Sequence, residues 1–328
     1  MNVIIPLAGF GTRLRPHTYT KPKPLINVAG KPVLGHLLDK LTGLNIDEIV
    51  FIVGYLGDQI ETYVSANYNF RASYVEQKEL LGQAHAIYLA KDLVSGPTVI
   101  LFVDTLFEAN LNVLNHEQSD GVIYVKEVED PRRFGVTLVN EQGWITRLIE
   151  KPDSMQDNLA VIGLYYVKDI QHLMNAIKTL MDRNIQTKGE FYLADALQLM
   201  IDDGAHLRPE RVNIWLDCGT VDTVLETNRY LLKHNMDNST EVASISSIII
   251  PPVRIHPTAR IKNSIIGPNV TIAAKCEIEG SIIRDSIVDE ESYIKDSSLG
   301  ESLIGRKVDL IGRYRHLNLG DSAFVDFL

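Results

Sequence analysis

From residue 1 to about 235 the chain alternates short apolar runs with segments whose apolar residues return at helical spacing. Residues 3–7 form an apolar run closed by Gly9 and Gly11, the pattern of a buried strand and its turn. Val33, Leu34, Leu37, Leu38, Leu41 and Leu44 then recur at helical spacing, and residues 48–53 return to a strand. The same reading gives a helix over 58–66, a strand over 72–75 and a helix over 83–94. Residues 98–103, apolar after the first, read as a central strand ending at Asp104. Single helices between successive strands predict a parallel sheet with right-handed crossovers. From 120 to 167 the pattern changes to short strands punctuated by Asp130-Pro131, Gln142-Gly143 and Lys151-Pro152-Asp153. We read this stretch as an antiparallel or mixed insertion laid over the sheet. Helices over 169–182, 193–203 and 220–234 follow, with a strand over 212–216 ending at Asp217.

Beyond Ser244 the period changes. Ile255, Ile261, Ile266, Ile272, Ile278, Ile283, Val288, Ile294, Leu299, Ile304 and Leu310 recur every five or six residues. Two places before them stand mostly small residues: Ala259, Ser264, Val270, Cys276, Ser281, Ser286, Ser292, Ser297, Ser302 and Val308. One aliphatic and one small inward residue per repeat describe short parallel strands wound into a prism, not the two-residue alternation of an antiparallel sheet. The pattern predicts two domains, 1–240 and 245–328. At three strands per coil it allows fewer than four coils, whose open ends need caps or partners; the tail 313–328 is a candidate cap.

Composition narrows the classes. The chain has 328 residues, 45% hydrophobic and 23% charged, enough for a full core without disulfides. Its formal charge of −10 opposes broad nucleic-acid binding, so any phosphate affinity must come from a few placed residues. Cys218 and Cys276 form no CxxC, and the nine histidines form no HxxxH pair, so structural zinc is not expected. No apolar run approaches the roughly 18 residues of a membrane span. The first residues enter a strand with no basic region before it, so no signal peptide and a cytoplasmic location are expected.

The most informative stretch is Leu7-Ala8-Gly9-Phe10-Gly11-Thr12-Arg13-Leu14-Arg15-Pro16, directly after the first strand. Its glycines let backbone amides turn toward an anion, and Thr12, Arg13 and Arg15 add donors and charge. It is neither a Walker loop nor a dinucleotide fingerprint, since Leu14 stands where the third glycine would be. GxGTRLxP followed by Lys21-Pro22-Lys23-Pro24-Leu25 is far more specific than GxG alone.

On these motifs the whole chain resembles the sugar-1-phosphate nucleotidyltransferases, the nucleotide-sugar pyrophosphorylases. It looks most like glucose-1-phosphate thymidylyltransferase-like members with a C-terminal left-handed β-helix. The resemblance implies an α/β fold: a Rossmann-like domain with a mixed, mainly parallel sheet, followed by a left-handed parallel β-helix. It implies that Leu7, Ala8, Gly9, Gly11 and Thr12 wrap a nucleoside triphosphate, that Arg13, Lys23 and Asp104 are catalytic, and that Gln77 and Gly82 read the base. Glu150 and Lys151 of Glu150-Lys151-Pro152 match the family's sugar-hydroxyl and sugar-phosphate ligands. Gly135, Gly163 and Glu190 match further sugar-site positions. Asp104 and Asp217, the latter in Trp215-Leu216-Asp217-Cys218-Gly219-Thr220, match its two metal aspartates. Phe10, Val103 and Thr105 depart from the glycine, glycine and asparagine common in the family, which leaves the sugar preference open.

The chemistry agrees. Transfer of this kind needs positioning and charge neutralisation more than a general base. A sugar-1-phosphate is already largely ionised at neutral pH, its second pKa being roughly 6. Two carboxylates at strand ends suit Mg²⁺, a hard cation. Gln77 offers a donor and an acceptor to the imide edge of thymine or uracil. The expected reaction joins an NTP, dTTP or UTP by preference, to a sugar-1-phosphate, glucose-1-phosphate by preference, giving NDP-sugar and pyrophosphate. The competing functions are a non-catalytic regulatory subunit that binds nucleotide sugars and an acyltransferase in the β-helix. Plainer roles stand beside the catalytic ones: Asp104 and Asp217 as helix caps, Lys151 as a solvated turn lysine, Gln77 on the surface, Arg15 in a salt bridge, His85 and Tyr165 in packing or pocket lining. The β-helix is expected to assemble a homo-oligomer, with no nucleic acid or membrane partner.

Overall fold

The computed structural model describes residues 1–155, 157–242 and 246–312. They divide into two compact units, Met1–Asn27 with Lys31–Thr227, and Val28–Gly30 with the chain from Asn228 onward.

The first unit is built on a nine-stranded sheet. Strand β1 (Asn2–Pro6) leads into the glycine loop, and a short hairpin, β2 (Asn27–Val28) and β3 (Lys31–Pro32), precedes helix α1 (Val33–Leu41). Then come β4 (Glu48–Val53), α2 (Gly57–Asn67), β5 (Ala72–Glu76), α3 (Gln83–Tyr88) and β6 (Thr98–Leu101). β1 pairs in parallel with β4 on one side and β6 on the other, and β4 with β5. Val3, Ile4, Val50, Phe51, Val99 and Ile100 are fully buried, which is why these strands read as continuous apolar runs. The strand order reverses at β1. A crevice at such a switch point, beyond the carboxyl ends of parallel strands, is where open α/β sheets bind ligands.

β7 (Thr105–Glu108), β8 (Gly121–Glu127), β9 (Gly135–Val139), β10 (Ile145–Glu150) and β11 (Leu159–Val167) follow. The 120–167 segment is antiparallel as expected, but it does not lie over the sheet. β11 pairs with β6, so β8 to β11 continue the same sheet edge to edge. After α4 (Ile170–Asp182) and α5 (Leu193–Asp202), β12 (Leu207–Arg211) joins β8 in parallel, a strand the apolar pattern does not reveal. β13 (Ile214–Asp217) pairs with β7 as a separate antiparallel ribbon ahead of α6 (Val221–Leu231). One face of each long helix is apolar: Ile170, Leu173, Ile177 and Leu180 from α4 and Leu193, Ala196, Leu197 and Met200 from α5 share a core with Ile4, Val50 and Ile100.

Among its described residues the second unit is a three-faced parallel β-helix with four strands on each face. Register stacks Ile249, Ile266, Ile283 and Leu299 on one face, Ile255, Ile272, Val288 and Ile304 on the next, and Ile261, Ile278, Ile294 and Leu310 on the third. The repeat starts one strand earlier than its aliphatic spacing suggests, at Ile248–Ile249. The small residues have a definite task. Ser281 Oγ donates to Glu279 O at 2.9 Å and accepts the N–H of Ser297 from the next coil at 3.1 Å. Ser264 does the same toward Lys262 O and Ser281 N–H. The first coil is capped by Asp237 and Asn238, whose side chains accept the N–H groups of Val253 and Ile255 at 2.9 Å each. The candidate cap 313–328 lies outside the described residues.

Candidate active site

The site grows from the loop after β1. Leu7 N–H donates to Ile52 O at 2.7 Å, the last step of the sheet. Beyond it, among the described residues, the amides of Gly9, Gly11 and Thr12 have no protein partner. Gly11 carries φ +61°, and a Cβ there would meet the Lys23 Cβ at 2.9 Å, so the sharp turn requires glycine. The same turn draws Lys23 under the loop, where its ammonium lies 3.8 Å from Asp104 Oδ2.

A cavity of about 400 Å³ opens at this switch point, lined by Leu7, Ala8, Gly9, Gly11, Thr12, Arg13, Lys23, Gln77, Gly82 and Asp104, among others. A second, of about 370 Å³, is lined by Gly135, Glu150, Lys151, Gly163, Glu190 and Asp217. Arg13, Gln83, Phe102, Asp104 and Glu190 border both, so the two cavities adjoin. The structure thus brings together every proposed catalytic, nucleotide, sugar and metal residue, while Arg15, His85 and Phe10 line neither cavity. Arg15 stacks on the Tyr19 ring, 4.9 Å from its centroid.

The plainer roles can be weighed against the geometry. Asp104 caps no helix, since it stands between β6 and β7. Asp217 ends β13 opposite Thr105, and Cys218 N–H donates to Asp104 O at 2.8 Å, so the ribbon sets the two aspartates on neighbouring steps. The cap of α6 is Thr220, whose Oγ1 accepts Thr223 N–H, which leaves the Asp217 carboxylate free of that task. A Cβ on Gly219 would come within 2.8 Å of both Arg13 Nη2 and Asp217 Oδ1, so guanidinium and carboxylate converge there. Gln77 is buried, not on the surface. Lys151 is part-exposed but engaged: its Nζ donates to Tyr192 Oη at 3.2 Å, lies over that ring and sits 3.9 Å from Glu150.

Electrostatics set Glu150, on the wall of the second cavity, and its neighbour Asp195 apart from ordinary carboxylates. Burial pushes the Glu150 pKa up against the pull of Lys151, and burial likewise raises that of Asp195, which accepts a bond from Thr187. The Tyr192 bond raises the Lys151 pKa, so its charge persists. Burial lifts the Cys218 thiol to about 12, which makes it inert.

Asp104 and Asp217 fit a hard divalent cation such as Mg²⁺, which is held by one or two carboxylates together with substrate phosphates and not by a closed protein cage. No cluster of three or more metal-ligating side chains occurs among the described residues. Pattern reading missed Tyr192, Arg133, Phe134 and Phe102 as cavity walls. Of these only Arg132-Arg133, in the turn before Gly135, carried any signal.

A glycine-turned phosphate loop, paired strand-end carboxylates and a cleft at the switch point of an α/β sheet define a nucleotide-binding enzyme domain, here joined to a parallel β-helix. The profile of the nucleotidyl transferase family matches residues 2–234, and the chain belongs to that family. It is 29% identical over 356 residues to a glucose-1-phosphate thymidylyltransferase of Streptomyces griseus, covering 98% of each chain. It is 32% identical over 228 residues to the UTP–glucose-1-phosphate uridylyltransferase AglF of Haloferax volcanii, covering 67% of this chain and 91% of that one. A solved UDP-glucose pyrophosphorylase with UDP-glucose superposes with a TM-score of 0.62 at 22% identity, over 71% of this chain and 98% of that one. No helix among the described residues is long and apolar enough to cross a membrane.

Proposed function

We propose that this enzyme transfers a nucleotidyl group from dTTP or UTP to a sugar-1-phosphate, glucose-1-phosphate by preference, and releases pyrophosphate. The observation that carries the reading is the pair of adjoining cavities that bring together the glycine loop, both aspartates and the Glu150-Lys151 pair. The relatives' thymidylyl- and uridylyltransferase names support the bases, and their glucose-1-phosphate supports the sugar.

In this reading the loop amides and Lys23 hold the triphosphate, while Lys151 orients the sugar phosphate and Glu150 accepts from sugar hydroxyls. A phosphate oxygen of the sugar-1-phosphate attacks the α-phosphorus in line. A new P–O bond forms as the α–β P–O bond breaks, and pyrophosphate leaves toward Arg13. That oxygen is already ionised, so no side chain need accept a proton. A cation on Asp104 and Asp217 would neutralise phosphate charge as it moves. Pyrophosphate release measured over a matrix of NTPs and sugar-1-phosphates tests the substrates. Asp104→Asn and Asp217→Asn are each expected to lose about 100-fold or more in kcat while melting like the parent. Persistent activity in excess EDTA overturns the two-carboxylate assignment. The non-catalytic alternative predicts no turnover anywhere in the matrix.

The β-helix serves assembly in this reading, joining copies of the chain. Residues 243–245, near the expected domain junction, lie outside the described residues.

A further inference from the structure

The Gln77 carboxamide is held from behind. Its Nε2 donates to Gly82 O at 3.4 Å and lies 3.1 Å from His85 Nδ1. A carbonyl oxygen can only accept, so Gly82 fixes which end of the carboxamide is nitrogen. That nitrogen has only hydrogens to offer, so Nδ1 of His85 must accept, and the imidazole is neutral with its proton on Nε2. Burial holds the His85 pKa below its ordinary value, with Glu79 opposing. Both Gln77 N–H bonds are then committed inward. Its Oε1 has no partner among the described residues, on a side chain that lines the nucleotide cavity. The donor expected from the sequence for the base edge is therefore already in use.

We propose that His85 is a positioning residue for base recognition: it holds Gln77 as an acceptor only, aimed at a ring N–H of the base. The inference rests on the reading that Gln77 faces the base. Uracil and thymine present N3–H to such an acceptor, and guanine presents N1–H. Cytosine N3 and adenine N1 are themselves acceptors and meet Oε1 lone pair to lone pair. His85 thus decides which face of Gln77 the base meets without touching the base.

The test is steady-state pyrophosphate release by the full chain with UTP against CTP and dTTP against dCTP. The parent is expected to favour UTP and dTTP by at least about tenfold in kcat/KM. In His85→Leu the carboxamide is free to turn and show N–H to cytosine N3, so this preference should fall by about tenfold. The fall should come through KM for the nucleotide with kcat little changed. His85→Asn, which keeps an acceptor, should restore much of it, with melting curves checking the fold of each variant. Gln77→Leu separates the two layers of the argument. If it relaxes the preference while His85→Leu leaves it intact, the role of His85 is overturned and the Gln77 reading survives. If neither variant moves the ratio, or if ATP is the best substrate, Gln77 does not read the base.

Discussion

Glu150 concentrates the conflict between stability and function in one side chain. Burial raises its pKa, and Lys151 at 3.9 Å only partly opposes this. A carboxyl whose folded pKa exceeds its unfolded one favours the folded state most below the unfolded pKa, and loses that contribution as pH rises through the folded pKa. At neutral pH it is a buried charge that costs stability. Glu150→Gln is therefore expected to melt higher than the parent at pH 7–8, with the gap closing in acid, as read by thermal denaturation across pH. The same change should raise KM for the sugar-1-phosphate, because an ionised acceptor is lost. In the parent that KM should climb as pH falls and Glu150 takes up its proton; in the variant it should climb less, since only the sugar phosphate then titrates. The loop and the opposite wall should separate kinetically. Arg13→Ala should lower kcat more than it raises KM for the NTP, while Lys151→Ala should chiefly raise KM for the sugar-1-phosphate. Identical defects in both would remove the distinction between a leaving-group contact and a sugar-phosphate contact. Gln77, Glu150 and Lys151 were legible in the sequence because each stands in a motif of fixed spacing. The Tyr192 bond to Lys151 and the tautomer of His85 were not, since each depends on how the fold sets one side chain against another.

Elements were legible where the burial of one face wrote a period into the chain. β4 spans Glu48–Val53 as expected, and α4 begins after Asp169, whose side chain accepts Gln171 N–H. α3 stops at Tyr88, short of the 83–94 expected, because Leu89 to Leu93 continue as turns with the same apolar spacing. β12 escaped because Arg208, Glu210 and Arg211 are charged and Pro209 reads as a breaker; it is held by its pairing with β8 and by Arg208, which donates to Glu117 and Glu210. β7 escaped because the ribbon it forms with β13 joins segments more than a hundred residues apart, beyond the reach of any local period. In the β-helix the aliphatic period was plain, while the reason for its serines needed the coil above. Ser281→Ala should leave the Ser297 N–H without its acceptor and cost about 1–3 kcal/mol, measured by denaturant unfolding. Ser298→Ala, on the exposed outer side, should cost almost nothing. Equal effects would mean that the serines fill space and carry no hydrogen bonds between coils.

At the scale of the whole molecule, the three outer faces of the β-helix differ in a way that bears on assembly. One carries paired charges, Arg260 with Glu277 and Lys295 with Glu279. On a second, Thr271 and Ile287 are buried, and Thr271 donates to Asn228 at 2.7 Å within the same unit. The third runs Ile248, Ile265, Ile282 and Ser298 in register on its outer side, with Ile248 59% and Ile282 48% exposed. A ladder of isoleucines in water is unusual on a chain of net charge −10, and contiguous apolar patches mark contact surfaces. On the proposed reading that the β-helix joins copies of the chain, the ladder is the surface offered for an isologous contact, where like residues meet across a two-fold axis. Ile248→Lys with Ile282→Lys should convert the assembly to a smaller species by size-exclusion chromatography with light scattering. Both side chains point away from the stacked interior, so the fold should hold. Every residue of the proposed cleft lies in the first unit, so pyrophosphate release should persist in the smaller species. An unchanged mass would remove the ladder as an interface. A smaller species without activity would mean that assembly itself is needed to shape the cleft.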